Sequence, residues 1–126
     1  MDRAAKTILC IDDHQQAVAG WCLYLQGAGY RVETALSATE GLQLFATQSI
    51  DLVLLDYSMP DANGGEVAAT MKRIKPDVRV LMFSGVRHVP DSARDHADAF
   101  LEKGVQPVVV LEKIDELLTA PVEPAA

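Results

Sequence analysis

The sequence is poor in cysteine, in clustered basic charge, in long apolar runs and in repeats, and each shortage removes a class of protein. Its two cysteines, Cys10 and Cys22, fall inside apolar segments and lack metal-ligand spacing, so they read as small buried hydrophobes rather than a redox pair. Eleven Lys and Arg against eighteen Asp and Glu leave a formal net charge of -7. The basic residues are scattered, so a nucleic acid backbone would be repelled and direct nucleic-acid binding is not expected. The apolar run from Thr7 to Ile11 is far too short for a signal peptide or a membrane span. The expected location is therefore the cytoplasm, away from any membrane. No internal repeat or low-complexity tract is present.

What remains is an ordinary globular composition, 49% hydrophobic and 23% charged over 126 residues. That length suits one domain with one hydrophobic core. The expectation is a single domain over 1–126, with a core at about 7–119 and a tail or linker stub at 120–126, where Pro121 to Ala126 carry two prolines and no apolar stripe.

Apolar runs of strand length alternate five times with segments of helical period, the pattern of parallel strands joined by helical crossovers. Strands are expected at Thr7 to Ile11, Tyr30 to Ala35, Asp51 to Asp56, Val78 to Phe83 and Ala99 to Glu102. Leu52 to Leu55 and Val80 to Phe83 are continuously apolar, as strands covered on both faces must be. Helical stripes follow at Val18, Trp21, Cys22 and Leu25; at Ala38, Leu42 and Phe45; at Val67, Met71 and Ile74; and at Leu111, Ile114, Leu117 and Leu118. Ser37 with Glu40 and Asn63 with Glu66 have the spacing of helix N-terminal caps, and Pro76 stops the third helix. Between the fourth and fifth strands, Val86 to Ala97 has few apolar residues, and a short mobile helix is expected there. The class is α/β.

In an open parallel sheet, ligands gather beyond the carboxyl ends of the strands. The first strand runs into Asp12 and Asp13, the third ends in Asp56, the fourth leads to Ser84 and Gly85, and the fifth to Lys103. Three carboxylates at one sheet edge repel one another unless a cation or proton is shared among them. Magnesium, which takes oxygen ligands and keeps several waters, suits one or two carboxylates plus a phosphoryl oxygen. In this scheme Asp56 is the nucleophile that forms an acyl phosphate, Lys103 neutralises a phosphoryl oxygen and Ser84 donates to another.

These residues, with Met59-Pro60 and Gly64, closely resemble the receiver domain of bacterial two-component response regulators, in the right order from about Thr7 to Thr119. The resemblance implies a flavodoxin-like (CheY-like) sheet of order 2-1-3-4-5 with helices on both faces. It makes Asp56 the phosphoacceptor, Asp13 and Asp56 direct Mg2+ ligands, Asp12 a ligand through water and Ser58 a backbone-carbonyl ligand. It also implies an aromatic switch at Phe100, coupled to Ser84, and a sensor histidine kinase or phosphotransfer protein as the phosphoryl donor. The output partner is not named by the sequence, and a monomer or weak dimer is expected. Receivers usually carry proline after the lysine, in a cis peptide; here Gly104 follows Lys103. A cis bond without proline costs roughly 2.5 to 4 kcal/mol, which favours trans.

Each residue also has a plainer reading. Asp56 can be a turn residue, Ser84 a loop-satisfying hydroxyl, Lys103 a solvated charge and Phe100 fixed core. His14, His88 and His96 read as exposed polar residues, while Ser58 and Val86 lie where side chains influence acyl phosphate hydrolysis. The alternative function is a pseudo-receiver, a protein-binding module without phosphotransfer. A flavin site fits poorly because Asp12 and Asp13 would repel the phosphate.

Overall fold

Every residue of Leu52–Asp56 is buried, including the terminal aspartate, because this strand occupies the middle of the sheet and is covered on both faces. The computed structural model describes residues 2–85 and 89–119. The expected tail, and Val86 and His88, lie outside the described residues. A 3-10 turn, Arg3–Ala5, leads into β1 (Thr7–Ile11), α1 (Gln15–Gly27), β2 (Arg31–Ala35), α2 (Ala38–Thr47), β3 (Leu52–Asp56) and α3 (Gly64–Ile74). β4 (Arg79–Ser84), α4 (Asp91–Arg94), β5 (Ala99–Glu102) and α5 (Pro107–Thr119) complete the order. The sheet runs β2-β1-β3-β4-β5 with all pairings parallel, the topology expected from the sequence.

Because side chains alternate along a strand, each central strand feeds two cores. Leu9, Ile11, Val53, Leu55, Val80 and Met82 meet Phe45 of α2 and Val67 and Met71 of α3 on one face. Ile8, Cys10, Leu52, Leu54, Leu81 and Phe83 meet Leu25 of α1 and Val110 and Ile114 of α5 on the other. Cys10 is buried and burial pushes its thiol pKa up, which fits its reading as a small hydrophobe.

Where bounds moved, local hydrogen bonds explain the shift. Tyr30 stays outside β2 because its amide is held by the Leu25 carbonyl at the end of α1. Asp51 precedes β3: its side chain accepts from the Thr7 amide at 2.8 Å, while its backbone already bonds Thr7 and Arg79. Val78 closes a turn onto the Lys75 carbonyl, and β4 instead runs one residue further, with Ser84 opposite Glu102. Both expected caps are present: Ser37 Oγ accepts from the Glu40 amide and Asn63 Oδ1 from the Glu66 amide. The stripe of α3 fails at one place. Ile74, expected in the core, is 48% exposed, because the helix ends at that residue and the chain turns away.

Met71 and Ile74 therefore provide an internal comparison on one helix. Met71→Ala should lower unfolding free energy by about 2 to 5 kcal/mol, whereas Ile74→Ala should cost roughly 1 kcal/mol or less. Urea denaturation of both variants measures this, and equal losses would contradict the packing described.

Candidate functional site

Parallel strands carry their carboxyl ends to one edge, so the loops after β1, β3, β4 and β5 converge there. Asp12 is 6% exposed and Asp56 3%, both unusually deep for aspartates. Lys103, reached from β5, joins them: its Nζ lies 3.0 Å from Asp12 Oδ2 and 3.3 Å from Asp56 Oδ1. Asp12 Oδ1 also accepts from the His14 amide at 2.9 Å and lies 3.1 Å from His14 Nδ1. The Ser58 amide donates to Asp56 Oδ1 at 3.3 Å.

Lys103 serves two acids unequally. Burial penalises the charge of Asp12, but the His14 amide, Lys103 and the His14 ring outweigh it and hold its carboxyl below the usual range. Burial, reinforced by the negative charge of Asp12, raises the carboxyl pKa of Asp56 despite Lys103 and the Ser58 amide. Burial alone would lower Lys103, yet its two carboxylate partners raise it, so the ammonium stays charged.

Two buried oxygens, Asp13 Oδ1 and Asp56 Oδ2, accept no hydrogen bond among the described residues. Asp13 Oδ1 is 3.3 Å from His14 Nδ1 without forming a hydrogen bond to it. Asp12, Asp13, His14 and Asp56 each offer one ligand atom, all within 4.8 Å of one another. Buried, donor-less carboxylate oxygens beside a hard-oxygen set fit a divalent cation such as Mg2+.

Of the other expected residues, Ser84 is fully buried at the end of β4, next to the strand bearing Asp56, and its carbonyl accepts from the Lys103 amide at 2.8 Å. Ser58 directly follows the Asp56 turn. Phe100 lies on β5, partly buried, with the Arg94 guanidinium stacked 4.5 Å over its ring. The Lys103-Gly104 peptide is trans, and Gly104 has φ +105°, a turn that glycine enters at little steric cost. Gly64 is required by contact: a Cβ there would lie 2.8 Å from Tyr57 Cα and 3.1 Å from the Asp56 carbonyl oxygen.

Two site residues escaped sequence reasoning. His14, read as a plain exposed residue, is exposed but turns its ring onto Asp12 and Asp13. Asp61 accepts from the Ala38 and Thr39 amides, tying the loop after Asp56 to the start of α2. Those amides, Thr39 first, hold its carboxyl below the usual range. Its place as the residue after Pro60 was the only available signal, and nothing in it pointed to a cap twenty-odd residues away.

An acidic pocket with one lysine, at the carboxyl edge of a doubly wound five-stranded sheet, defines a class of phosphate- and cation-handling α/β domains. The chain belongs to the response regulator receiver domain family, whose model matches residues 8–115. The receiver domain protein (CheY-like) of Methanospirillum hungatei is 32% identical, with a TM-score of 0.85 over 90% of this chain and 93% of that one. TrrA of Thermotoga maritima, solved with Mg2+ and BeF, is 31% identical, again with a TM-score of 0.85, over 90% of this chain and 99% of that one. It has also been solved in complex with the histidine kinase ThkA. Response regulator SaeR of Staphylococcus aureus is 30% identical over 115 residues, 89% of this chain but 50% of SaeR. The chain thus spans half or less of the curated relatives it matches.

A carboxyl with a raised folded-state pKa holds its proton more tightly folded than unfolded. Asp56 therefore costs stability as pH rises through the upper carboxylate range, while Asp12, shifted the other way, loses its contribution as pH falls. Without metal at neutral pH, Asp56→Asn should be more stable than wild type by about 1 kcal/mol or more, some 3 to 6 °C in Tm. The gain should shrink in acid, where wild-type Asp56 is protonated. Thermal melts across pH check this, and an unchanged or lower Tm in the variant would refute it.

Proposed function

We propose that this receiver accepts a phosphoryl group on Asp56. The observation that carries the reading is a buried carboxylate with one donor-less oxygen, beside an ammonium and two further acids. An oxygen of Asp56 attacks the phosphorus of a donor phosphohistidine. The new O–P bond forms as the P–N bond breaks, and the imidazole leaves with the electron pair and takes up a proton. Asp13, Asp56 and the Ser58 carbonyl, with Asp12 acting through water, would hold Mg2+, which when bound would supply charge screening for the incoming phosphoryl group.

Lys103 then exchanges its contact with Asp56 for a phosphoryl oxygen, and the Ser84 hydroxyl donates to another. Moving Ser84 and Lys103 draws on β4 and β5, and Phe100 between them turns inward as its stacking with Arg94 is released. The change alters the surface around α4 and β5 that a partner reads. The domain is a phosphoacceptor, with self-phosphorylation and self-dephosphorylation as its only chemistry. Its donor is a sensor histidine kinase or phosphotransfer protein, as the ThkA complex of TrrA supports. The setting is the cytoplasm, with the chain a monomer or weak dimer; among the described residues no helix is long and apolar enough to cross a membrane. The net charge of -7 argues against nucleic-acid contact by this domain itself.

Incubation with acetyl phosphate and Mg2+ should add one phosphoryl group by intact mass, and Asp56→Asn should add none. Lys103→Met should slow uptake by about a hundredfold, by loss of a half-buried charged donor. A wild-type protein that takes up no phosphate, though folded and Mg2+-bound, would instead establish a pseudo-receiver that binds partners without phosphotransfer.

A further inference from the structure

The ring of His14 faces the acidic pocket through contacts with two carboxylates. Its side chain is 72% exposed, and although the residue stands at the N-cap of α1 its ring makes no capping bond. Yet Nδ1 lies 3.1 Å from Asp12 Oδ1 and 3.3 Å from Asp13 Oδ1. Adjacent ligands on an octahedral ion with bonds of about 2.1 Å are separated by about 3 Å, and on a tetrahedral one by slightly more. The imidazole nitrogen thus already stands at ligand spacing from two carboxylates. Independently, Asp56 is 3% exposed and carries a donor-less Oδ2, and one of its carboxylate oxygens belongs to the same cluster.

Donor type decides what such a site prefers. Four oxygens favour Mg2+, whereas one imidazole among carboxylates favours borderline first-row cations. We propose that His14 is a nitrogen ligand that lets this acidic site bind a divalent transition cation of the Co2+, Ni2+ or Zn2+ class, at Asp12, Asp13 and Asp56, in preference to Mg2+. The inference rests on the cation-binding reading of the site given above, and adds to it the identity of the ion. The ring's exposure allows it to swing aside when Mg2+ binds through oxygens and water, so the two cations use overlapping but unequal donor sets.

The test is calorimetric titration of the full chain with Co2+ and with Mg2+, without phosphoryl donor, for wild type, His14→Ala and His14→Asp. Any site with nitrogen or oxygen donors favours Co2+ to some extent, so the decisive quantity is the change on substitution. His14→Ala should weaken Co2+ binding by about tenfold or more while Mg2+ affinity stays within about twofold, and His14→Asp should lower the Co2+ to Mg2+ affinity ratio. Proton NMR of the Co2+ form should show a hyperfine-shifted, solvent-exchangeable imidazole N–H that His14→Ala removes. Equal loss of both cations, or no change in Co2+ affinity, or absence of that resonance, overturns the inference. If Mg2+ binding and phosphate uptake persist in that case, only the role of His14 falls; if wild type binds neither cation, the site reading falls with it.

Discussion

One ammonium faces three carboxylates. Lys103 sits within 3.3 Å of both Asp12 and Asp56, and Asp13 belongs to the same cluster, so two negative charges remain uncompensated by side chains. In a half-buried pocket such charges interact several times more strongly than in water. The imbalance explains why Asp56 holds its proton more tightly than a free aspartate while Asp12, which has the closer lysine contact and the His14 bonds, holds it less tightly. A divalent cation matches the deficit in both sign and size. Once such an ion screens Asp56, a phosphoryl group can approach a carboxylate that would otherwise repel it.

The sheet makes this imbalance tolerable. Asp12 and Asp56 follow directly from strands whose side chains fill cores on both faces, so their backbones cannot retreat toward solvent. The energy that forces acids together comes from apolar burial elsewhere in the fold: Leu52 to Leu55 and Val80 to Phe83 are almost wholly removed from water. Gly64 extends the same constraint, letting α3 press against the backbone at Asp56 and Tyr57 where any side chain would collide.

Much of this was legible in the sequence because it depends on periods and strand ends. Continuous apolar runs located β3 and β4, and the polar residues following each strand located Asp12, Asp13, Asp56, Ser84 and Lys103. What escaped depends on side-chain direction or on partners distant in the chain. His14 adjoins Asp13 with no ligand-like spacing, and both its amide and its ring contact Asp12 Oδ1. Asp61 caps α2 across a gap that no local pattern encodes. Ile74 fits the helical period, yet period says nothing about where a helix stops touching its neighbour.

The pocket is built from two halves of unequal firmness. Asp12 and Asp56 come from β1 and β3, central strands with four or five buried residues each. Lys103 and Phe100 come from β5, an edge strand of four residues with none fully buried, and α4 beside it is a single turn. Local stability follows burial, so the two acids are held more firmly than Lys103 and Phe100. Gly104, trans and at positive φ, belongs to the movable half: it gives the Lys103 loop a tight turn by backbone freedom rather than by a fixed peptide isomer. On the proposed function, a rigid acceptor with a compliant reader is what would convert the arrival of charge at one atom into displacement of a surface. The reverse arrangement would let the acids relax apart and leave nothing to signal.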